Sequence, residues 1–225
     1  MAFVKLISNP KGILLNSNGD LDEGLREAIE KRNSFAISLI FAVKLCLAFL
    51  GGDYRKGVEY GELHFNWTPR PKGSIHEAYC LLFESLTAFA LARCVSKTER
   101  KENIRRGLSG MKTIKKLAHS CPTHCLAKFI VFEAETAALA GKHSLAEEKY
   151  THAILLSRKY NNMFEEGLLN LVTGYYFIRD RKDIGKGLMY LEDSCKVFES
   201  LGGLALVTLV GEEIDNLKKN ESNVQ

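Results

Sequence analysis

From Ser34 onward the hydrophobic period is helical nearly everywhere, and a chain with that property has few architectures open to it. Ala42, Leu45, Cys46 and Phe49 fall at i, i+3, i+4 and i+7, the spacing of one buried helix face. Ala78, Leu81, Leu82 and Ser85 repeat it, with Leu86 extending the face, and so do Leu168, Leu171, Val172 and Tyr175. Ile130, Ala134, Ala137 and Ala138 fall at i, i+4, i+7 and i+8. No segment alternates with period two for long enough to argue a strand. Breaks stand at Gly51-Gly52-Asp53, Thr68 to Gly73, Cys121-Pro122-Thr123, Gly141-Lys142, Asn161-Asn162 and Gly202-Gly203. Ser74, with Glu77 three positions on, has the form of a capping box. Pro122 has that of a helix start, where a missing N–H costs nothing. The spacing predicts about nine helices of roughly 12 to 24 residues, an all-α chain.

The breaks resemble one another. Phe49 to Gly57 and Ala138 to Ala146 both set a glycine at the turn (Gly52, Gly141) and a small residue five positions later (Gly57, Ala146). A third copy runs from Phe177 to Gly187. Gly57 and Ala146 are 89 residues apart and Ala146 and Gly187 are 41 apart, so a period of 41 to about 45 residues fits. Around Gly141 the pattern is that of a tetratricopeptide-type hairpin. Ala134 lies where two helices approach closely, Ala146 answers from the second helix, Tyr150 fills the space behind, and Ala153 admits the next hairpin. The following hairpin offers Gly187, Leu191 and Ser194 at the matching spacing, with Gly174 one position out of register. A single hairpin cannot bury both faces, so the expected fold is a right-handed solenoid of about four to five antiparallel hairpins. The alternative is an irregular helical bundle in which the small residues coincide.

Composition decides the class of molecule. Over 225 residues, 46% are apolar and 26% charged, close to the globular average, which excludes disordered, collagen-like and disulfide-scaffold chains. The predicted organisation is an N-terminal extension over 1–24, partly ordered, a repeat domain over 25–217 and a polar, fraying tail over 218–225. The first residues carry no apolar run with a cleavage site, so the expected compartment is the cytoplasm, with reduced thiols. Cys46, Cys80 and Cys94 sit in apolar runs, where a thiol behaves as a small hydrophobe. Phe35 to Leu50 is sixteen residues with Lys44 past its middle, too short and too charged for a membrane span.

A closer resemblance emerges from Lys115 to Pro122, then Lys128-Phe129, Glu133-Ala134-Glu135, Gly141-Lys142 and Ala153-Ile154. It continues through Glu165 to Leu168, Tyr190-Leu191 and Phe198 to Gly202. Their order along residues 25 to 215 resembles the tetratricopeptide-like region of large signalling proteins with a predicted AAA/STAND-type ATPase. In those proteins a kinase-like domain and the ATPase usually precede this region, and a GAF domain with a sensor histidine kinase usually follows it. The resemblance implies a repeat scaffold linking other domains. The family's catalytic motifs are missing from this chain. Gly141-Lys142 is followed by His143 and Gly185-Lys186 by Gly187, so neither is a phosphate-cradling loop, and no His-Arg-Asp or Asp-Phe-Gly triplet occurs. The chain is expected to be either a fragment of a longer product or a free-standing relative that kept the scaffold.

The remaining chemistry is sparse. His119, Cys121, His124 and Cys125 crowd one short segment with no distant second pair, which argues for a packed turn over a zinc site. A cysteine nucleophile beside His124 has no orienting carboxylate near in sequence. Residues 97–116 hold eight Lys/Arg against two Glu, a local charge of +6. An apolar stripe of Ile104, Leu108, Met111 and Ile114 makes those charges the solvated face of a helix. No aromatic residue interleaves with them, which argues against single-stranded nucleic acid. No enzyme activity, metal or cofactor is expected. The expected partner is a protein, a peptide or a neighbouring domain, met on an inner groove by Lys128, Glu135, Tyr175 and Arg179. Trp67 on its proline-flanked link is either an exposed anchor or a hydrophobic cap. A second possibility is an adaptor that binds an acidic protein or nucleic acid through the basic segment, with Arg105 and Arg106 in contact.

Overall fold

The computed structural model describes residues 22–67 and 73–222. Among them the backbone is helical throughout and no strand occurs. A short helix over 22–30 (α1) leads into α2 (Ser34–Leu50), α3 (Tyr54–Trp67), α4 (Ile75–Ala92), α5 (Lys97–Leu108) and α6 (Met111–Ser120). Beyond these lie α7 (Pro122–Leu139), α8 (His143–Lys159), α9 (Met163–Tyr176), a π-helical turn (Phe177–Arg181), α10 (Ile184–Ser200) and α11 (Leu204–Ser222). Most helices from α2 onward pack on their neighbours in sequence, α5 and α6 being the exception. The apolar α4 is the hub, touching α2, α3, α5, α6 and α7. By length and composition α4 could cross a membrane, but most of it is enclosed by the other helices. One continuous core runs from Leu45 and Phe49 through Leu82, Phe132, Tyr150 and Leu168 to Ile214.

Local signals set the boundaries. Ser74 Oγ accepts from Glu77 N at 3.1 Å, while Glu77 Oε2 accepts from Gly73 N, one residue before the position a capping box uses. A complete box forms instead at Ser96 and Glu99, which opens α5. Pro122 stands in the first turn of α7 as expected. The turns after α1, α7, α8 and α10 share one closure. A left-handed residue (Arg32, Gly141, Asn161, Gly202) is followed by an amide that reaches back five positions. These bonds are Asn33 N to Ala28 O, Lys142 N to Ala137 O, Asn162 N to Ser157 O and Gly203 N to Phe198 O, at 2.7–2.9 Å. Gly52 takes the same backbone conformation after α2.

Three expectations are corrected. Residues 97–116 are two helices, not one, because the chain turns at Ser109-Gly110, and a Cβ on Gly110 would lie 2.9 Å from Leu81 Cδ2. The apolar stripe survives the break, with Ile104 and Leu108 half-buried on α5 and Ile114 fully enclosed on α6. Cys94 is exposed, since α4 ends at Ala92 and leaves it in the turn. The C-terminal helix continues through Ser222 instead of fraying after Leu217, with Lys218 Nζ bonded to Glu192 Oε1 at 2.8 Å. Residues 1–21 of the expected N-terminal extension lie outside the described residues, and α1 begins inside its last part.

The residues expected to set helix packing divide: Gly52 and Gly141 have no atom within 4 Å of where a Cβ would sit and serve the turns, while the others are enclosed or closely approached. Ala134, Ala146, Ala153 and Leu191 are fully enclosed and Tyr150 is nearly so. Gly57 has Thr87 Cγ2 only 2.5 Å from where its Cβ would sit. Gly174 and Gly187 face each other across α9 and α10. A Cβ on Gly174 would meet Leu191 at 2.8 Å and Gly187 O at 3.1 Å, and one on Gly187 would meet Ile178 and, at 3.2 Å, Gly174 O. Backbone cannot swing aside as a flexible side chain can. Gly187→Ala is therefore expected to lower unfolding free energy by about 1–3 kcal/mol in urea melts. Gly211→Ala, on α11 with nothing near its Cβ, should be neutral or stabilising by up to about 1 kcal/mol. Equal stability of the two variants would refute the close approach.

Candidate functional site

The third turn differs from the others by one residue. Ala134 and Ala146 are 12 positions apart, whereas Gly174 and Gly187 are 13 apart, and the extra residue is absorbed in the π-helical turn. Its closing bond, Asp183 N to Phe177 O at 3.0 Å, reaches back six positions where the others reach five. Lys182, at φ 57°, takes the left-handed position that glycine fills in the α7–α8 turn. This single insertion accounts for the misregister of Gly174. Helices with such inserted turns often carry functional residues, and here the turn aims Arg179 and Asp180 at two different neighbours.

Asp180 turns to Arg93, the residue that closes α4. The Arg93 Nε lies 2.9 Å from Asp180 Oδ2, and Nη1 lies 2.7 Å from Glu135 Oε2 and 3.1 Å from Phe89 O. Nη2 stands 2.8 Å from Asp180 Oδ2 at an angle too oblique for a further hydrogen bond. The Tyr150 hydroxyl donates to the other Glu135 oxygen at 2.6 Å. Burial opposes the guanidinium's charge, yet Glu135 and Asp180 outweigh it and hold its pKa above the ordinary value. Burial and the Glu135 carboxylate together push the Tyr150 phenol well up.

Arg179 turns the other way. Its guanidinium stacks on Tyr175 at 4.4 Å and lies 5.6 Å from the Tyr54 ring, with Nη1 donating to the Tyr54 hydroxyl at 3.0 Å. The Tyr175 hydroxyl donates to Glu213 Oε2 at 2.5 Å, and burial followed by that carboxylate raises its pKa. These groups border a cleft of about 500 Å³ between the α2–α3 turn, the end of α9 and α11. Leu50, Leu209 and Leu217 supply its apolar wall and Glu212, Glu213 and Asn216 its polar one. On the inner side of Tyr175 and Arg179 a second space, of about 20 Å³, is bounded by Phe49, Leu86, Arg93 and Glu135.

The residues expected to meet a partner are therefore divided. Glu135, Tyr175 and Arg179 do converge, but Glu135 is 5% exposed and held by Arg93 and Tyr150. Lys128 is 1% exposed and lies elsewhere, paired with Glu165, donating to His124 O at 2.7 Å and 4.1 Å from the centre of the Tyr79 ring. Arg106 pairs with Glu62 and Glu102, while Arg105 is exposed. Trp67 ends α3, and its side chain lies outside the described residues. Tyr54, Arg93, Asp180 and Glu213 carry no signal in the sequence that marks them for this site.

A second buried polar chain is equally silent in the sequence. Ser38 Oγ lies 2.9 Å from His64 Nε2 and 3.0 Å from His76 Nε2, and His64 Nδ1 lies 3.2 Å from Glu84 Oε1. One hydroxyl proton serves two imidazoles when one ring donates to Ser38 and the other accepts from it. In the tautomer of His64 that donates from Nδ1 to Glu84, Nε2 accepts from Ser38 and His76 is the donor, which satisfies the chain in one direction. The Ser38–His64–Glu84 distances suit a nucleophile and its base, but Ser38 is fully enclosed, so a substrate has no approach to it. Among the described residues no group of three His, Cys, Asp or Glu is placed to hold a metal ion.

No protein-family model matches this chain, and neither a curated protein nor a solved structure is detectably similar to it.

Both networks can be tested by substitution. Arg93→Met leaves two carboxylates buried without their cation and should cost about 3–5 kcal/mol in chemical denaturation. Adding Glu135→Gln and Asp180→Asn should recover a large part, and no recovery would show that packing rather than charge was lost. Burial lowers the His76 pKa, with the neighbouring His64 adding to the shift. As pH falls the unfolded chain takes up the proton first, so this contribution is complete above the unfolded value of about 6.5. It is lost as pH drops from there through the lowered folded value. Urea midpoints should thus fall over that window, less steeply in His76→Gln, and an unchanged slope would remove His76 from the account.

Proposed function

We propose that this protein is a non-catalytic helical-repeat module, a tetratricopeptide-like right-handed solenoid that docks a polypeptide segment in the cleft beside the π-turn. The cleft carries the reading. It combines apolar walls, partly exposed aromatic rings and a few convergent polar groups, the composition of a recognition site. Support for the repeat architecture comes from the shared turn closure, the small residues at helix crossings and the 41-residue spacing of Ala146 and Gly187. The outward positions of α1 and of α11 are mostly polar, as capping helices of a stack require. The order of motifs along the chain supports placing it with signalling ATPases and histidine kinases, where the docked segment could belong to a neighbouring domain.

A second reading, an adaptor for an acidic protein or nucleic acid, draws on Lys97, Lys101, Arg105, Lys112 and Lys116. These exposed cations on α5 and α6 have no ion-pair partner among the described residues. Salt-sensitive capture by heparin that is lost when they are neutralised would favour it.

The cleft reading is tested by selecting displayed random peptides on the purified protein. Selected peptides should lose binding to Leu209→Arg, inside the cleft, and keep it for Met189→Arg on the exposed face of α10. Amide exchange should slow on binding at residues 50–54, 175–181 and 209–217. Peptides indifferent to Leu209→Arg, or protection elsewhere, would overturn the assignment.

A further inference from the structure

We propose that residues 1–21 of this chain supply an occupant for the cleft, with Ile13, Leu14 and Leu15 seated against its leucines so that the segment competes with the polypeptide docked there; this rests on the reading that the cleft takes a polypeptide. The direction in which the chain leaves α1 carries it. α1 runs antiparallel to α2. Ala28 packs with Ile37 and Phe41, a Cβ on Gly24 would lie 3.7 Å from Ile40 Cδ1, and Asp22 pairs with Lys44 a turn further along α2. Each step toward the N-terminus of α1 is thus a step toward the C-terminus of α2. That end of α2, with Leu50, Gly51 and Gly52, is one wall of the cleft. The starting point is fixed, because Lys44 is buried and also lies 4.9 Å from the centre of the Tyr60 ring.

Reach and composition select the occupying residues. From Lys44 to Leu50 α2 rises about 9 Å, a distance that about three extended residues cover. Leu15 precedes Asp22 by seven positions, enough for up to about 23 Å of chain. Ile13-Leu14-Leu15 is therefore within reach of Leu50, Leu209 and Leu217. Between this triplet and α1, Asn16-Ser17-Asn18-Gly19-Asp20 is polar and contains a glycine, the composition of a tether. The other end of the sequence offers no equivalent, since Asn223-Val224-Gln225 after α11 includes a single apolar residue. A tether this short holds its end at an effective concentration of about millimolar, so that even weak apolar contact keeps the cleft filled against a dilute partner.

Fluorescence anisotropy of a selected peptide that depends on Leu209, measured on the full chain, reads the competition. The triple variant Ile13→Ser, Leu14→Ser, Leu15→Ser should bind that peptide about tenfold more tightly than the unaltered chain. Without any peptide, amide exchange at residues 50–54 and 209–217 should quicken in the triple variant, and exchange at 13–15 should quicken in Leu209→Arg. A blocked synthetic peptide of residues 9–21, added to the triple variant, should restore the slow exchange. Unchanged helix content by circular dichroism checks that both variants fold. Equal peptide affinity in the unaltered chain and the triple variant, with no difference in exchange, would overturn the inference and leave the cleft reading standing. Protection at 13–15 that grows with protein concentration would overturn it too, by assigning the contact to a second copy. No peptide at the cleft of either form, with no difference in exchange, would remove both readings together.

Discussion

Arg93 holds a guanidinium where water has little access, and much of the molecule is arranged around that necessity. A buried charge is tolerated only when carboxylates and carbonyls surround it. Here the carboxylates come from α7 and from the π-turn, the carbonyl from the last turn of α4, and Tyr150 on α8 braces Glu135 from behind. Four segments distant in sequence must therefore stand in one relative position. Near the other end of α4, Tyr79 donates to Glu165 and lies beneath the Lys128 ammonium. The two ties are 14 residues apart on one helix, about 21 Å along its axis. Apolar faces alone allow helices to slide by a turn at modest cost, whereas displacing the first tie strands the Arg93 charge and displacing the second strips the Lys128–Glu165 pair of the Tyr79 hydroxyl and ring.

The inserted residue of the π-turn belongs to the same arrangement. In an uninterrupted α-helix, Arg179 and Asp180 would each point about 100° away from their present directions relative to α10. The insertion lets neighbouring residues serve opposite sides. Asp180 completes the shell of Arg93 inside, and Arg179 reaches out to Tyr54, 125 positions earlier in the chain. The core and the candidate site are thereby linked through one peptide unit. A change at Asp180 would disturb both, while a change at Tyr54 would be felt mainly outside.

This division explains what could be read from the sequence. Helical period is a property of neighbours along the chain, so the buried faces of α2, α4, α7 and α9 were legible, as was the glycine at 141 that its turn requires. The misregister of Gly174 was visible too, though only the backbone shows that a π-turn absorbs it. Ion pairs between helices leave no such trace. Lys128 and Glu135 look like ligand-facing polar residues on an apolar helix, and it is Glu165 and Arg93, 37 and 42 positions away, that make them internal. Arg93 itself reads as the ordinary basic end of a helix. Ser38, His64 and His76 share no motif because their alignment depends on how α2, α3 and α4 cross.

The same internal pairing governs where recognition can occur. A stack of hairpins that left its polar inner residues unpaired would offer a long groove to a partner. Here Arg93 pairs with Glu135 and Asp180 and Lys128 pairs separately with Glu165, and the space remaining beside Arg93 and Glu135 is about 20 Å³, room for little more than a water. Arg179 and Tyr175 then close the outer side of that space. Rings, leucines and carboxylates accessible to a ligand are left together beyond this closure, where α11 and the α2–α3 turn stand apart by enough for a side chain to enter. Rigidity inside and an open cleft at the edge are thus two results of one charge distribution. Loosening the interior by removing Arg93 would release Asp180, let the π-turn move, and carry Arg179 away from the rings that now fix it.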